Sequence, residues 1–116
     1  MIVYMPTAAH MAIKQLVDQS LLHMVVSQNV DGIHLRSGIP REQLCELHGN
    51  TNREKCLSCD KEYFRDYRCR NAKSSKEHRT GRKCSCGGDL ADSIVNFGEN
   101  LPEEELERAS AASARA

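Results

Sequence analysis

The chain has 116 residues, with 16 Lys and Arg set against 16 Asp and Glu, 40% hydrophobic and 28% charged residues, and no tryptophan. That length suits one small domain or a piece of a larger one, and the zero net charge gives no general attraction to an acidic or membrane partner. No apolar run approaches the roughly 20 residues that cross a bilayer. The opening MIVYMPTAAH also lacks the basic and apolar regions of a secretory leader, so an intracellular protein is expected.

In chain order, Pro6 and Thr7 precede a stretch in which Ala9, Ile13, Leu16 and Val17 recur at helical spacing, which predicts a helix over 8–17 with Thr7 as N-cap. Residues 21–26 form a continuous apolar run suited to a strand covered on both faces, as in parallel α/β sheets. That run empties into SQNVDGIHLRSG, residues 27–38. Ligands of open α/β sheets sit beyond the carboxyl ends of strands. There Gln28 and Asn29 can donate and accept while Asp31 accepts, a set suited to ribose hydroxyls and a carboxamide. The same side chains also stabilise ordinary solvated turns. Further on, residues 40–45 predict a helical turn begun by Pro40, 46–48 a short strand, and 92–97 another. Residues 49–91 are loop-rich and lack a core of their own, and 103–116 open as an acidic helix that frays into ASAASARA.

Charge is unevenly placed. Residues 53–83 hold 11 Lys and Arg against 5 Asp and Glu, leaving 5 against 11 elsewhere. Six cysteines without a leader argue for metal rather than disulfides. Cys56 and Cys59 form a two-spacer knuckle, and Cys84 and Cys86 a second close pair further along, the donor set of a closed, structural, tetrahedral zinc site. Cys84 and Cys86 have one spacer rather than two, so Cys69 or His78 could stand in for one thiolate. Cys45, beside Leu44, reads as a small buried hydrophobe. Of the five histidines, His10, His23, His34 and His78 suit packing or surface roles. His48 differs, because Gly49 behind it lets a ligand or another backbone approach, and an imidazole suits a general base at neutral pH.

The motifs PTAAHMAI, VVSQNVDGIHLRSG, ELHGN, CLSC, CSCG and IVNFGE, in this order over roughly residues 4–105, resemble those of sirtuins, the NAD-dependent protein-lysine deacylases. HLRSGIPR, LCELHGN and TGRKC are most similar to the nuclear branch containing the sixth and seventh members, nearer the seventh. The resemblance implies an α/β fold: a partial Rossmann-type NAD-binding domain with a parallel sheet and an inserted zinc-binding module. Residues 1–52 would be the middle of the NAD domain, 53–91 the zinc module, 92–102 the return strand, and 103–116 the acidic helix and disordered tail.

By the same resemblance His48 is the general base, Gln28, Asn29 and Asp31 surround the nicotinamide ribose and carboxamide, and Val95, Phe97 and Gly98 line the acyl-lysine channel. Cys56, Cys59, Cys84 and Cys86 hold one zinc per chain, and NAD is the co-substrate whose ADP-ribose accepts the acyl group as nicotinamide leaves. Acylated lysines of proteins, histones among them, would be the substrates in a nuclear setting, with no membrane partner. The Gly-rich phosphate loop, its GIPDFR continuation and the later NAD-holding stretches of the family are absent, and Thr51 and Asn52 stand where a large apolar residue is usual. The expectation is therefore a catalytic-domain fragment, inactive alone. Two alternatives are mono-ADP-ribosyl transfer on the same fold, and a non-enzymatic zinc module whose basic segment binds chromatin or nucleic acid.

Overall fold

Thr7 caps the first helix as its sequence suggests. In the computed structural model, which describes residues 5–71, 77–96 and 98–116, its hydroxyl accepts the His10 N–H while His10 Nδ1 accepts the Thr7 N–H at 3.1 Å, a capping box closed by histidine. Helix α1 runs Ala8–Asp18 and buries Val17 with Ile13 beside it. The apolar run that follows does not begin as a strand. Ser20 takes a positive φ of 59°, and the N–H groups of Leu21 and Leu22 both turn back to the Leu16 carbonyl, so these residues close the end of α1 and leave Leu21 exposed. Strand β1 is only Val25–Ser27, shorter than the predicted 21–26.

Helix α2, Ile33–Arg36, and a 3₁₀ turn at Arg41–Gln43 entered from Pro40 lead to β2, Leu44–Glu46. The predicted strand at 46–48 is displaced, because the Gly49 N–H bonds the Glu46 carbonyl at 3.1 Å and turns the chain there. Strands β1 and β2 pair in parallel, Val25 opposite Leu44 and Ser27 opposite Glu46. Val17, Ile39 and Leu44 form their core, with Ile13, Leu22, Val25 and Leu35 packed around it. Burying such side chains is worth roughly 1.5–3 kcal/mol each, which is what holds so short a parallel pair.

The second layer is an antiparallel sheet ordered β4-β3-β6-β5, made of β3 Arg53–Cys56, β4 Glu62–Phe64, β5 Arg79–Lys83 and β6 Asp89–Asp92. Asp92 therefore ends a strand of this sheet, whereas the sequence suggested that a return strand begins there. The chain leaves the ladder because the Ile94 N–H bonds Asp92 Oδ1 at 3.0 Å and the Val95 N–H reaches the His48 carbonyl at 3.1 Å. The apolar core of this sheet is small: Cys56, Cys84 and Leu90, with Tyr63 against them.

Helix α3 spans Glu103–Ala114, so the segment expected to fray is helical almost to its end. Alanine is the best helix former, and the helix is anchored laterally. Buried Glu105 accepts the Glu46 N–H at 2.9 Å and pairs with Arg41, while Arg108 donates to the Arg41 and Glu42 carbonyls. Polar contacts also join the two sheets. Glu46, 2% exposed, takes Arg53 at 2.7 Å and the Asn50 amide at 3.0 Å, and Glu62 bridges Arg41 and Arg53. Burial pushes the Glu46 carboxyl up, and Arg53 and Arg41 oppose that shift.

Candidate active site and metal centre

Three segments converge just past the carboxyl ends of β1 and β2. The Ser27 carbonyl takes the Leu47 N–H at 3.0 Å, which places the residue after Leu47 beside the β1 loop. There His48 Nδ1 lies 3.1 Å from the Gln28 carbonyl oxygen. A carbonyl can only accept, so Nδ1 is the donor here, and the lone pair of a neutral ring falls on Nε2. The third segment enters through the Val95 N–H, bonded to the His48 carbonyl. Gln28, His48 and Val95, far apart in the chain, are thus brought together.

The rest of the loop is partly committed. The Ser27 hydroxyl accepts the Asn29 N–H at 3.1 Å, and Asp31 Oδ1 accepts the Ile33 N–H at 3.0 Å, opening α2 from Gly32 at φ 71°. Gln28 and Asn29 are exposed and Asp31 is half-buried, so both amides and the second carboxylate oxygen of Asp31 are open to a ligand. Gly98 is exposed with φ 83°, three residues past Val95, and Phe97 lies outside the described residues.

Gly49 is required by contact as well as by conformation. Its φ is 86°, and a Cβ there would lie 1.9 Å from the Ser93 carbonyl oxygen. Gly49→Ala is expected to cost about 2 kcal/mol or more and to displace His48 from Gln28. A thermal melt and the His48 ring signals check it, and an unshifted midpoint would show that the backbones separate freely. Two supports escaped the sequence reading. Ser93 Oγ takes the Asn50 N–H and donates to the Asn50 carbonyl, both at 2.9 Å, while buried Asn50 Oδ1 takes the Asn52 N–H at 2.8 Å. Asn50 directly following His48-Gly49 was the available signal. Nothing local marked Ser93.

The four expected cysteines converge beside the β3–β4 and β5–β6 turns of the antiparallel sheet. The Sγ atoms of Cys56, Cys59, Cys84 and Cys86 all lie within 4.8 Å of one another, with Cys56 to Cys86 at 3.5 Å and Cys59 to Cys84 at 3.6 Å. A tetrahedron with Zn–S near 2.3 Å has edges of about 3.8 Å, so the set is positioned to hold zinc with no open position. The N–H groups of Ser58 and Cys59 point at Cys56 Sγ, at 3.3 and 3.4 Å. Cys84 is pushed down to about 5, first by the Cys86 N–H and then by the Tyr63 hydroxyl. Against the Lys61 N–H, the thiols of Cys56, Cys84 and Cys86 push Cys59 up to about 12. The thiols thus resist carrying negative charge together, a conflict that a divalent cation would relieve.

Neither proposed stand-in joins the cluster. Cys69 is fully buried and is pushed up to about 11 by burial, and His78 is held between Asp92 and Glu99. Cys45 is fully buried beside Met24 Sδ at 3.6 Å, and burial raises its thiol, as a packing residue requires.

A parallel α/β unit with a polar loop beyond its strands, joined to a four-cysteine antiparallel module, defines a Rossmann-type protein with a zinc-binding insert. The family model described as "Sir2 family" matches residues 1–116, and the chain belongs to that family. It is 50% identical over 97 residues to the NAD-dependent protein deacetylase sirtuin-7 of Homo sapiens, covering 81% of this chain and 24% of that protein. Among solved structures, a Sir2 homologue in complex with NAD superposes with a TM-score of 0.68 at 32% identity, covering 97% of this chain and 41% of that one. A Sir2 bound to acetylated peptide gives 0.65 at 32% identity, covering 96% and 44%. The chain spans between about a fifth and two-fifths of the length of the curated relatives it matches. No helix among the described residues is long and apolar enough to cross a membrane.

Proposed function

We propose that this chain carries the general base, the nicotinamide-ribose loop and the structural zinc site of an NAD-dependent protein-lysine deacylase. The observation that carries the reading is His48 Nδ1 at 3.1 Å from the Gln28 carbonyl, which leaves Nε2 as a proton acceptor at the carboxyl end of a parallel sheet. NAD, when bound, supplies an electrophilic ribose carbon and a hydroxyl to receive the acyl group. His48 Nε2 takes the proton of that hydroxyl. The exposed amides of Gln28 and Asn29 and the second oxygen of Asp31 orient ribose and carboxamide, a donor and acceptor set that fits them. Val95, Phe97 and Gly98 form the wall for the acyl-lysine, the substrate peptide adding a strand beside them. Zinc held by Cys56, Cys59, Cys84 and Cys86 fixes the module and takes no part in the proton transfer.

A nuclear setting with histones among the substrates is inferred from the resemblance of HLRSGIPR, LCELHGN and TGRKC to the nuclear branch of the family. Mono-ADP-ribosyl transfer would use the same His48 site with a protein nucleophile. A separate nucleic-acid role for the basic segment has weaker support. Arg53, Lys55, Arg65, Arg70, Arg79, Arg82 and Lys83 are all paired with acidic side chains, which leaves less charge for phosphates.

Two measurements test the proposal. Calorimetry with NAD on a Sir2 homologue that carries this chain as its matching segment is expected to show saturable binding that weakens in Asn29→Ala and Asp31→Ala. Grafting the chain in place of the matching segment of a Sir2 homologue is expected to preserve nicotinamide release with an acetyl-lysine peptide. There His48→Ala should lower kcat by at least about 100-fold, and Val95→Trp should raise the peptide KM. Equal rates for the graft and its His48→Ala form would end the assignment of the base.

A further inference from the structure

We propose that His78 is a positioning residue for the acyl-lysine wall, because its imidazole staples the 93–99 segment to the zinc module through one carboxylate at each end. The inference rests on the proposed reading of that segment as the wall. Immediately before β5, His78 Nδ1 is 2.9 Å from Asp92 Oδ1, and Nε2 is 2.6 Å from Glu99 Oε2. Asp92 opens the segment: the same Oδ1 accepts the Ile94 N–H at 3.0 Å, and its own N–H bonds the His78 carbonyl at 2.7 Å. Glu99 closes it, since its Oε1 accepts the Asn96 N–H at 2.7 Å and its N–H bonds the Asn96 carbonyl at 3.1 Å. Val95 lies between these two anchors with its N–H on the His48 carbonyl. A series of hydrogen bonds therefore runs from the zinc-bearing sheet through His78 and Glu99 to Asn96, the chain neighbour of Val95.

Carboxylates only accept, so both contacts form together only when both ring nitrogens carry hydrogen. The staple is an imidazolium. The charged groups around it are Asp92, Glu99, Glu77 next in the chain, and Arg70, whose Nη1 is 3.6 Å from Asp92 Oδ1. Glu77 is itself paired with Arg79. Partial burial pushes His78 down, but the bonds to Asp92 and Glu99 outweigh it and raise the group above its ordinary value. A raised histidine contributes fully at low pH and loses its contribution as pH climbs through the raised value. The wall should therefore be held most tightly on the acidic side.

Amide exchange in the zinc-loaded chain, read residue by residue by NMR, tests the staple without NAD or peptide. His78→Gln is expected to speed exchange at Asn96 about tenfold, the scale of one lost charge-assisted hydrogen bond, while β3–β6 amides and zinc stoichiometry stay unchanged. Glu99→Gln, at the exposed end, keeps the fold and should lower the His78 ring titration midpoint while loosening Asn96. In the wild type, protection at Asn96 corrected for intrinsic exchange should decline above that midpoint. Unchanged Asn96 exchange in both variants, or a His78 midpoint indifferent to Glu99→Gln, would overturn the proposal. Failure of the wall reading would appear elsewhere, as an unchanged peptide KM in the Val95→Trp graft with the staple intact.

Discussion

Chelating zinc from the four cysteines is expected to melt the β3–β6 sheet as one unit while α1 and the β1–β2 pair remain. Of the three buried residues in that sheet's apolar cluster, Cys56 and Cys84 belong to the thiol set positioned to hold zinc and only Leu90 is an ordinary hydrophobe. Structural zinc contributes roughly 10–16 kcal/mol in small modules at neutral pH. A whole domain has a net stability of only about 5–15 kcal/mol, so a sheet with this core cannot survive the loss. The β1–β2 side keeps Val17, Ile39 and Leu44, which no metal touches. Circular dichroism and amide exchange before and after chelation check the outcome. Cys86→Ser should release the metal, and Cys69→Ser, outside the cluster, should retain one zinc per chain. Protected sheet amides in metal-free protein would show that the strands hold themselves.

Glu54→Ala is expected to destabilise the zinc-loaded chain by about 3–5 kcal/mol, the usual scale for removing one partner of a buried ion pair. Glu54 is fully buried. Its Oε2 takes Arg65 Nε at 2.8 Å and Arg82 Nε at 2.7 Å, and its Oε1 takes the Thr80 hydroxyl at 2.7 Å. Removal leaves two guanidinium groups and a hydroxyl without their acceptor in the middle of the sheet. Glu54→Gln, which keeps the shape, should lose less. Burial pushes the Glu54 carboxyl up, but the bonds from Arg82, Thr80 and Arg65 outweigh it and hold the group below its ordinary 4.5. A depressed carboxyl contributes fully above the unfolded value and loses that contribution as pH falls through the folded one. Melting midpoints should therefore drop on acidification below 4.5 in the wild type and drop less in Glu54→Gln. Identical acid slopes would assign the effect to other carboxyls.

Local signals were read well from the residues. The Thr7 cap and the Pro40 turn are visible because a cap or proline acts within a few residues of itself. The two close cysteine pairs were visible because metal-ligand spacing is a local constraint, and the structure brings all four thiols together. Element ends that depend on which carbonyl or side chain takes a given N–H are less legible. Residues 21–24 look like strand by composition, yet the Leu16 carbonyl claims Leu21 and Leu22 for the helix end. Residues 93–96 look like a continuing strand, yet His48 and Asp92 bend them out of the sheet. The alanine-rich end looked frayed, because nothing in it announces that Glu105 and Arg108 find partners far back in the chain, at Arg41, Glu42 and Glu46.

Charge shows the same division. The surplus of cations over residues 53–83 is plain in the sequence, but its meaning is not. Arg65 and Arg82 reach one buried carboxylate at Glu54, distant from both in the chain, and what looked like a basic face is partly internal cement.

Residue types and their order are legible without the fold: a polar loop after an apolar run, a histidine before a glycine, four thiols in two pairs. These follow from covalent spacing and intrinsic preference, which need no partner. Where each strand begins, which nitrogen of His48 faces the Gln28 carbonyl, how the thiols come within reach of one ion, and what holds Val95 beside His48 are set in the folded chain. Those depend on hydrogen bonds and packing between groups remote from one another in the chain, whose energies exist only once the chain has closed on itself.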